Sequence, residues 1–436
     1  MERLIYNDLL YWKKREDRKP LILLGARQVG KTYILKEFGK KEFDNLVYVN
    51  CNKNDFANQL FRDLEVRRIV TEIERYYDVK ITPGKTLLVF DEVQDARGGI
   101  ASLKYFCEDM PDLHVAAAGS LLGISLRAEE SYPVGKVNTL NIFPMSFSEF
   151  LLAKGRKGLF QVVSDLAWDS MRAMNEDLTE LLRQYYFTGG MPEAVKVYVE
   201  TDDVVKVREV QQEILRAYEF DVTKHTKVQG EKIRQVWQSI PAQLARENKK
   251  FIFGAVRKGA RAATFEEAIQ WLIDAGLVYK VERVSKPAAP LKFYADNNAF
   301  KLYVLDCGLL ACMSEASPNQ MLLGMAVFTE FKGSFTENFV IQQLKAAGCQ
   351  SACYYSKDNS TMEVDFLFQL GERIVPVEAK AADSVKSHSL SNFIQKDFAA
   401  MGLKGLRMSM KPYTDQGWME NIPLYSAESY VKNQVE

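Results

Sequence analysis

Gly25-Ala26-Arg27-Gln28-Val29-Gly30-Lys31-Thr32 has the spacing GxxxxGK[ST], and the chemistry that spacing serves is the cradling of a polyphosphate. Its glycines let successive backbone N–H groups curl around phosphate oxygens, and a helix starting after Gly30 adds its positive end. Lys31 is expected to pair with the β- and γ-phosphates of ATP, and the Thr32 hydroxyl to hold Mg2+. Further along, "TLLVFDEVQD" ends an apolar run in Asp91-Glu92. Asp91 suits the Mg2+ shell and Glu92 suits a base that polarises the attacking water. Loop and carboxylate pair together point to hydrolysis of ATP rather than to binding alone. Ser120, at the end of the next strand, is placed either to sense the γ-phosphate or to cap the following helix. Arg127 and Lys136 are candidates for a positive charge given to a neighbouring subunit's nucleotide, against the simpler reading of solvated basic side chains.

A second set of chemistry-bearing residues lies in "EVDFLFQLGERIVPVEAK", Glu363 to Lys380. Val364, Phe366 and Phe368 alternate with Glu363 and Asp365, and after a Leu370-Gly371-Glu372 turn Glu378 and Lys380 share a face. A hairpin in suitable register brings Asp365 beside Glu378 and Lys380. Two carboxylates repel, so holding them together makes sense around a divalent cation, Mg2+ or Mn2+, that stabilises charge on a scissile phosphate. Lys380 would polarise the attacking water or neutralise the phosphate. Glu337, on a helix ended by Gly348, could supply a further ligand. The competing reading is an exposed face with an ordinary Glu–Lys cross-strand pair. Pro376 has no N–H to give a sheet, which places its strand at an edge or at a bulge. His388 and Lys386 fall in a stretch, 380–411, where basic side chains outnumber acidic ones; they are candidates for lining a phosphate groove, though a lone His is more often structural.

Elements must position these groups. The run before Gly25, "NLVYVNC" (45–51), the run ending at Asp91, "HVAAAGS" (114–120) and "KVNTLNIFP" (136–144) read as five strands. Val66, Ile69, Val70, Ile73 and Tyr77 keep helical rhythm between them. The pattern is that of a doubly wound parallel sheet. Beyond residue 150, Val207, Val210, Ile214, Ala217 and Tyr218 form one helical stripe. Ile233, Val236, Trp237, Ile240 and Leu244 form another, which Pro241 should bend or stop. "TGGMPEA" (188–194) reads as a tight turn between helices. In "TFEEAIQWLIDAGLVYKVERV", Thr264 and Glu267 form a capping box, Gly276 is a helix stop, and an alternating strand follows. Helix then ribbon is the layout of a winged helix. Upstream, Arg246, Lys249, Lys250, Arg257, Lys258 and Arg261 are opposed only by Glu247, a cluster able to grip nucleic-acid phosphates or simply to be solvated.

"GARQVGKT", "LLVFDEVQD", "AAGS", "NIFPMSFSEFL" and "FTGGMPEAV", followed by "KLYVLDCGLLA", "TENF", "EVDF" and "VEAK", resemble in that order the bacterial and archaeal AAA-type P-loop ATPases with a C-terminal domain of formerly unknown function. The resemblance implies an α/β fold in three parts. They are an AAA-type P-loop ATPase domain over 1–155, a helical and winged-helix-like connector over 156–300, and a restriction-endonuclease-like domain over 301–436. It also implies that Glu337, Asp365 and Glu378-x-Lys380 match a D-ExK nuclease core. Lys136 in "VGKV" departs from the family, which often shows Arg there, and this weakens any arginine-finger role.

The chain has 436 residues, long enough for several domains, and its 57 basic and 57 acidic side chains leave no overall field pulling it onto nucleic acid or an anionic membrane. Any such contact must be local. Six cysteines without a CxxC pair read as reduced thiols, and the charged N-terminus lacks the apolar core of a signal peptide, so the expectation is a cytoplasmic protein with no membrane segment. The leading expectation is an ATP-binding and ATP-hydrolysing protein acting on DNA or RNA through a Mg2+-dependent nuclease-like domain, with homo-oligomerisation open. The alternatives are an ATP-dependent switch or regulator that holds nucleic acid or a partner without cutting, and an ATPase acting on proteins.

Overall fold

Each apolar run that ends in a chemistry-bearing residue forms a strand in the computed structural model. The structure describes residues 1–52, 55–120, 122–124, 133–223, 227–246, 249–322, 332–349, 351–357, 362–381 and 387–435. Arg127, Glu247 and Lys386 lie outside the described residues. The chain divides into two compact units, one of residues Glu2–Phe143 with Asp274–Gly276 and one of Pro144–Ile273 with Leu277–Glu436.

The first unit is built on a five-stranded sheet of β1 (Leu21–Leu24), β2 (Asn45–Asn50), β3 (Thr86–Asp91), β4 (His114–Ala118) and β5 (Asn138–Asn141). The order is β2-β3-β4-β1-β5 and every pairing is parallel. β3 is buried along its whole length, which explains why its sequence is continuously apolar rather than alternating. Register pairs Asn50 with Asp91 and Asp91 with Ala118, so the strands end together and deliver their following residues to one edge. Because β4 lies between β1 and β3, Ser120 emerges between the loop after β1 and the carboxylates ending β3. Helix Val66–Tyr77 buries Val66, Ile69, Val70 and Ile73, the expected stripe, and Glu65 caps it by accepting from the N–H groups of Arg67 and Arg68.

His114, on β4, is buried with Trp12 and Phe43 edge-on to its ring. Burial first, then the nearby Arg18, holds its imidazole down at about 4 from an ordinary 6.5. The unfolded chain therefore takes up a proton near pH 6.5 that the folded chain refuses until about 4. The stability tied to this group is complete above pH 6.5 and is lost as pH falls towards 4. His114→Phe is expected to flatten the fall in thermal midpoint across that window, as followed by calorimetry from pH 7 downwards.

The second unit carries an eight-stranded mixed sheet. Its strands are β6 (Val278–Val284), β7 (Ala295–Val304), β8 (Ala352–Ser356), β9 (Glu363–Leu370), β10 (Arg373–Lys380), β11 (Gly405–Ser409), β12 (Thr414–Asp415) and β13 (Met419–Pro423). The order is β12-β13-β11-β10-β9-β8-β6-β7. The strand read from sequence as part of a winged helix's ribbon is β6, which pairs antiparallel with β7 and in parallel with β8 at Glu282–Cys353 and Arg283–Tyr354. The ribbon thus extends the same sheet that holds Asp365 and Glu378, and residue 300 falls inside a hydrogen-bonded pair rather than between elements.

Three local expectations are corrected. β10 is neither an edge strand nor bulged against β9: it is flanked by β9 and β11, and Pro376 is tolerated because the β11 ladder begins only at Val377. Pro241 does not stop its helix, which runs Lys227–Leu244. Thr264 lies inside helix Ala262–Asp274, so it does not cap it. By contrast, Gly189–Met191 joins helices Asn175–Thr188 and Pro192–Thr201 as expected, with Pro192 in the first turn.

Fully buried Asp306 ties these segments together. It caps helix Cys307–Met313 through the Leu309 N–H at 2.9 Å, and accepts from the Gly190 N–H at 2.6 Å and the Gln342 amide at 3.0 Å. Tyr185 donates to the Met145 carbonyl, and Gln343 accepts from the Phe147 N–H at 2.9 Å. These bonds explain the polar residues embedded in "FTGGMPEAV" and "KLYVLDCGLLA" as a buried latch joining residues on either side of the 156–300 stretch. Among the described residues, no helix is long and apolar enough to cross a membrane.

Candidate functional site

In the first unit the loop after β1 has the conformation its glycines permit. A side chain at Gly25 would meet the Ile142 carbonyl at 2.3 Å, and Gly30 sits at φ +98°, a left-handed conformation that starts helix Lys31–Glu42 without strain. Arg3 braces the loop by donating to the Val29 carbonyl at 2.8 Å and the Phe143 carbonyl at 2.7 Å. Lys31 is buried and donates to the carbonyls of Gly25 and Ala26, each at 2.7 Å. Burial lowers its ammonium to about 8, against the opposing pull of Glu92 and Asp91. Arg27, Gln28 and Val29 complete the loop, with Gln28 at φ 65°.

The Thr32 hydroxyl donates to Asp91 Oδ2 at 2.7 Å, so the two groups expected to share Mg2+ already adjoin. Tyr48, on β2, donates to the same oxygen at 2.7 Å, and Lys36 lies 3.6 Å from its ring centroid. Glu92 occupies the left-handed region at φ 51°, an arrangement that costs a non-glycine residue about 1–3 kcal/mol and is characteristic of functional positions. Its Oε2 accepts from the Ser120 N–H at 2.9 Å, the Ser120 hydroxyl at 3.0 Å and the Gln94 amide at 2.6 Å. Ser120 thus holds Glu92. Lys136 forms an ion pair with Glu108 at 2.9 Å. Tyr48, Gln94 and Arg3 escaped the sequence reading; only Gln94, two residues after the acidic pair, left a local signal there.

In the second unit the β9–β10 hairpin turns at Gly371-Glu372, between the pair Leu370–Arg373. Its register pairs Val377 with Phe366, and one step further sets Glu378 beside Asp365; the Ala379 N–H donates to Asp365 Oδ2 at 2.8 Å. Lys380 lies 3.1 Å from Glu378 Oε1. Although burial opposes it, the Lys380 ammonium is held above its ordinary range by Glu378, Asp365 and Glu337. The four residues expected to act together therefore gather in one place, on helix Lys332–Ala346 and strands β9 and β10. Burial, then Glu337, pushes the Asp365 carboxyl well above the usual carboxylate range.

These carboxylates are oxygen donors of the kind hard cations take, and Glu378 Oε2 is buried with no hydrogen-bond partner. Asp365 and Glu378 fit a divalent cation. Glu337 is differently placed: its Oε1 accepts from Lys249, and its Oε2 from the Tyr303 hydroxyl at 2.7 Å, with Lys301 at 3.6 Å. Against the cost of burial, Lys301 and Lys249 hold this carboxyl low. Among the described residues, no three His, Cys, Asp or Glu side chains converge closely enough to enclose a metal ion. Lys301, wholly buried on β7, also bonds Glu363 at 2.5 Å. Lys301 and Tyr303 were absent from the sequence reading, although a lysine in the apolar strand "FKLYVL" is a signal that it has a buried partner. His388 is exposed. Of the basic cluster, Arg246, Arg257, Lys258 and Arg261 are exposed while Lys249 turns in to Glu337.

Comparison with known proteins matches three segments of the chain. Residues 17–151 match the family model described as an AAA domain, residues 179–320 a domain of unknown function (DUF8612), and residues 332–426 another domain of unknown function (DUF4143). No curated protein matches. Solved structures similar to the chain include a Walker-type ATPase of Pyrococcus abyssi, at 15% identity and a TM-score of 0.46, covering 72% of this chain and 95% of that one. The Aeropyrum pernix Orc1 protein, solved in complex with DNA, aligns at 13% identity and a TM-score of 0.31, covering 72% of this chain and 90% of that one. The matched AAA domain coincides with the parallel sheet, the phosphate loop and the Asp91-Glu92 pair, and the conclusion is that this chain is an ATPase whose AAA-type domain spans residues 17–151.

Proposed function

We propose that the ATPase acts on nucleic acid and that its second unit holds a Mg2+-dependent site for phosphodiester cleavage. One observation carries this reading: Asp365, Glu378, Lys380 and Glu337 gather from a helix and two strands into one charge cluster, Glu337 and Glu378 buried and Asp365 and Lys380 half-buried, with Glu378 Oε2 left unpaired. An exposed cross-strand pair would need no such burial, because two carboxylates are costly to hold together away from water. Asp365 and Glu378 would hold the cation, whose charge would stabilise the scissile phosphate. Lys380, kept protonated by its carboxylate neighbours, neutralises the phosphate or orients the attacking water. The exposed basic side chains Arg246, Arg257, Lys258 and Arg261 supply local positive charge that the neutral chain lacks overall.

In the first unit, the loop 25–32 takes the triphosphate, Lys31 pairs with its terminal phosphates, and Thr32 with Asp91 holds Mg2+. Glu92 activates the water, and Ser120 and Gln94 hold Glu92 in place. We further propose the three-part organisation 1–155, 156–300 and 301–436 as the functional division, a cytoplasmic setting, and assembly into homo-oligomers.

The lysines on Glu337 favour one alternative, a nucleic-acid-holding regulator that does not cut. Incubating the full chain with labelled single- and double-stranded DNA and RNA, with Mg2+ and ATP, separates the two. Products that vanish in Asp365→Ala and Lys380→Ala support cleavage; salt-dependent binding without product, unaltered in Lys380→Ala, selects the regulator.

A further inference from the structure

We infer that Lys249 is an internal cation competing with a divalent metal ion for the carboxylate cluster, so that Glu337 joins a metal site only when Lys249 leaves it. The inference rests on the proposed Mg2+ site and adds its regulation. Lys249 and Glu337 are 88 positions apart in sequence, yet the pair is formed with Glu337 almost wholly buried and Lys249 largely so. Such a pair is not a surface accident, because taking both charges from water needs a compensating partner. Tyr303 and Lys301 hold the Oε2 of Glu337, which leaves Oε1 as the oxygen that either Lys249 or a metal ion would satisfy. Lys301 is fixed, wholly buried and shared with Glu363. Lys249 differs, since it keeps some exposure and follows Arg246 at the start of the basic segment that continues through the exposed Arg257, Lys258 and Arg261. Its ammonium lies on a carboxylate of the cluster.

The chemistry follows from charge. An ammonium on Oε1 takes up lone-pair room that a metal would use, and a positive charge beside the site opposes a second cation. The group able to draw Lys249 away is a polyanion of the kind a basic segment takes, a phosphodiester backbone. The second unit would then assemble its full ligand set only with substrate present.

The test is Mn2+ binding by electron paramagnetic resonance on the full chain without nucleotide, for wild type, Lys249→Gln, Lys249→Arg and an Asp365→Asn control that identifies the fraction bound at the cluster. The expected result is Mn2+ binding about tenfold or more tighter in Lys249→Gln, unchanged in Lys249→Arg, and lost in Asp365→Asn. Equal affinities in wild type and Lys249→Gln, with binding still lost in Asp365→Asn, would overturn the competition while leaving the metal site. Absence of Asp365-dependent binding in every variant would overturn both. Thermal midpoints within a few degrees of wild type show that the variants remain folded, so a tighter Mn2+ affinity is not a product of unfolding.

Discussion

Replacing Glu92 with Gln is expected to leave ATP affinity close to wild type and to lower kcat by about 100-fold or more, the usual worth of a positioned general base. The substitution is nearly isosteric and keeps an oxygen able to accept from Ser120 and Gln94, which now bond Glu92 Oε2. What it would remove is the charge proposed to polarise water. Binding should survive because the phosphate loop and Lys31 are untouched. Isothermal titration with ATP alongside steady-state phosphate release measures both; near-normal turnover in the variant would remove Glu92 from catalysis and place the base elsewhere.

Lys31→Ala is expected to weaken ATP binding by about 100-fold or more, since hydrogen bonds to charged groups contribute about 1.5–3 kcal/mol each and a terminal phosphate would take several from one ammonium. The buried ammonium spends its hydrogen bonds on the Gly25 and Ala26 carbonyls, and burial lowers it to about 8. A triphosphate offers it full negative charge instead, so the differential gain is large. Titration of a fluorescent ATP analogue, with circular dichroism to show that the loop's loss of two carbonyl bonds has not unfolded the unit, checks the expectation. Retained affinity would mean that the loop's N–H groups alone hold the phosphates.

The first unit was legible because its sequence signals are local. A buried parallel strand is apolar throughout, and it ends where a polar residue begins the chemistry, as Leu24 precedes Gly25 and Phe90 precedes Asp91. Tyr48 was not legible, because its role depends on the register that sets Asn50 opposite Asp91 and brings a neighbouring strand's hydroxyl onto that carboxylate. In the second unit the hairpin was readable from alternation and a Gly371 turn, but the fate of Glu337 was not. Its partners come from β7 and from the segment at 249, both far away in sequence, and while a lysine in "FKLYVL" signals a buried partner, nothing local says which carboxylate it meets. Pro376 misled for the same reason: a proline signals a missing donor, while only the sheet order reveals that the neighbouring ladder starts one residue later.

Glu337 also shows how a motif can be complete in composition while its groups are committed elsewhere. Four side chains of the expected types gather, yet one is neutralised by two lysines, and the outcome depends on which cation holds it. The direct measurement is a crystal structure of the full chain soaked with Mn2+ and a non-hydrolysable ATP analogue, read by anomalous scattering. The account predicts one peak beside Thr32 and Asp91 and another between Asp365 and Glu378; a second unit without a peak, its carboxylates bridged only by lysine, would contradict it.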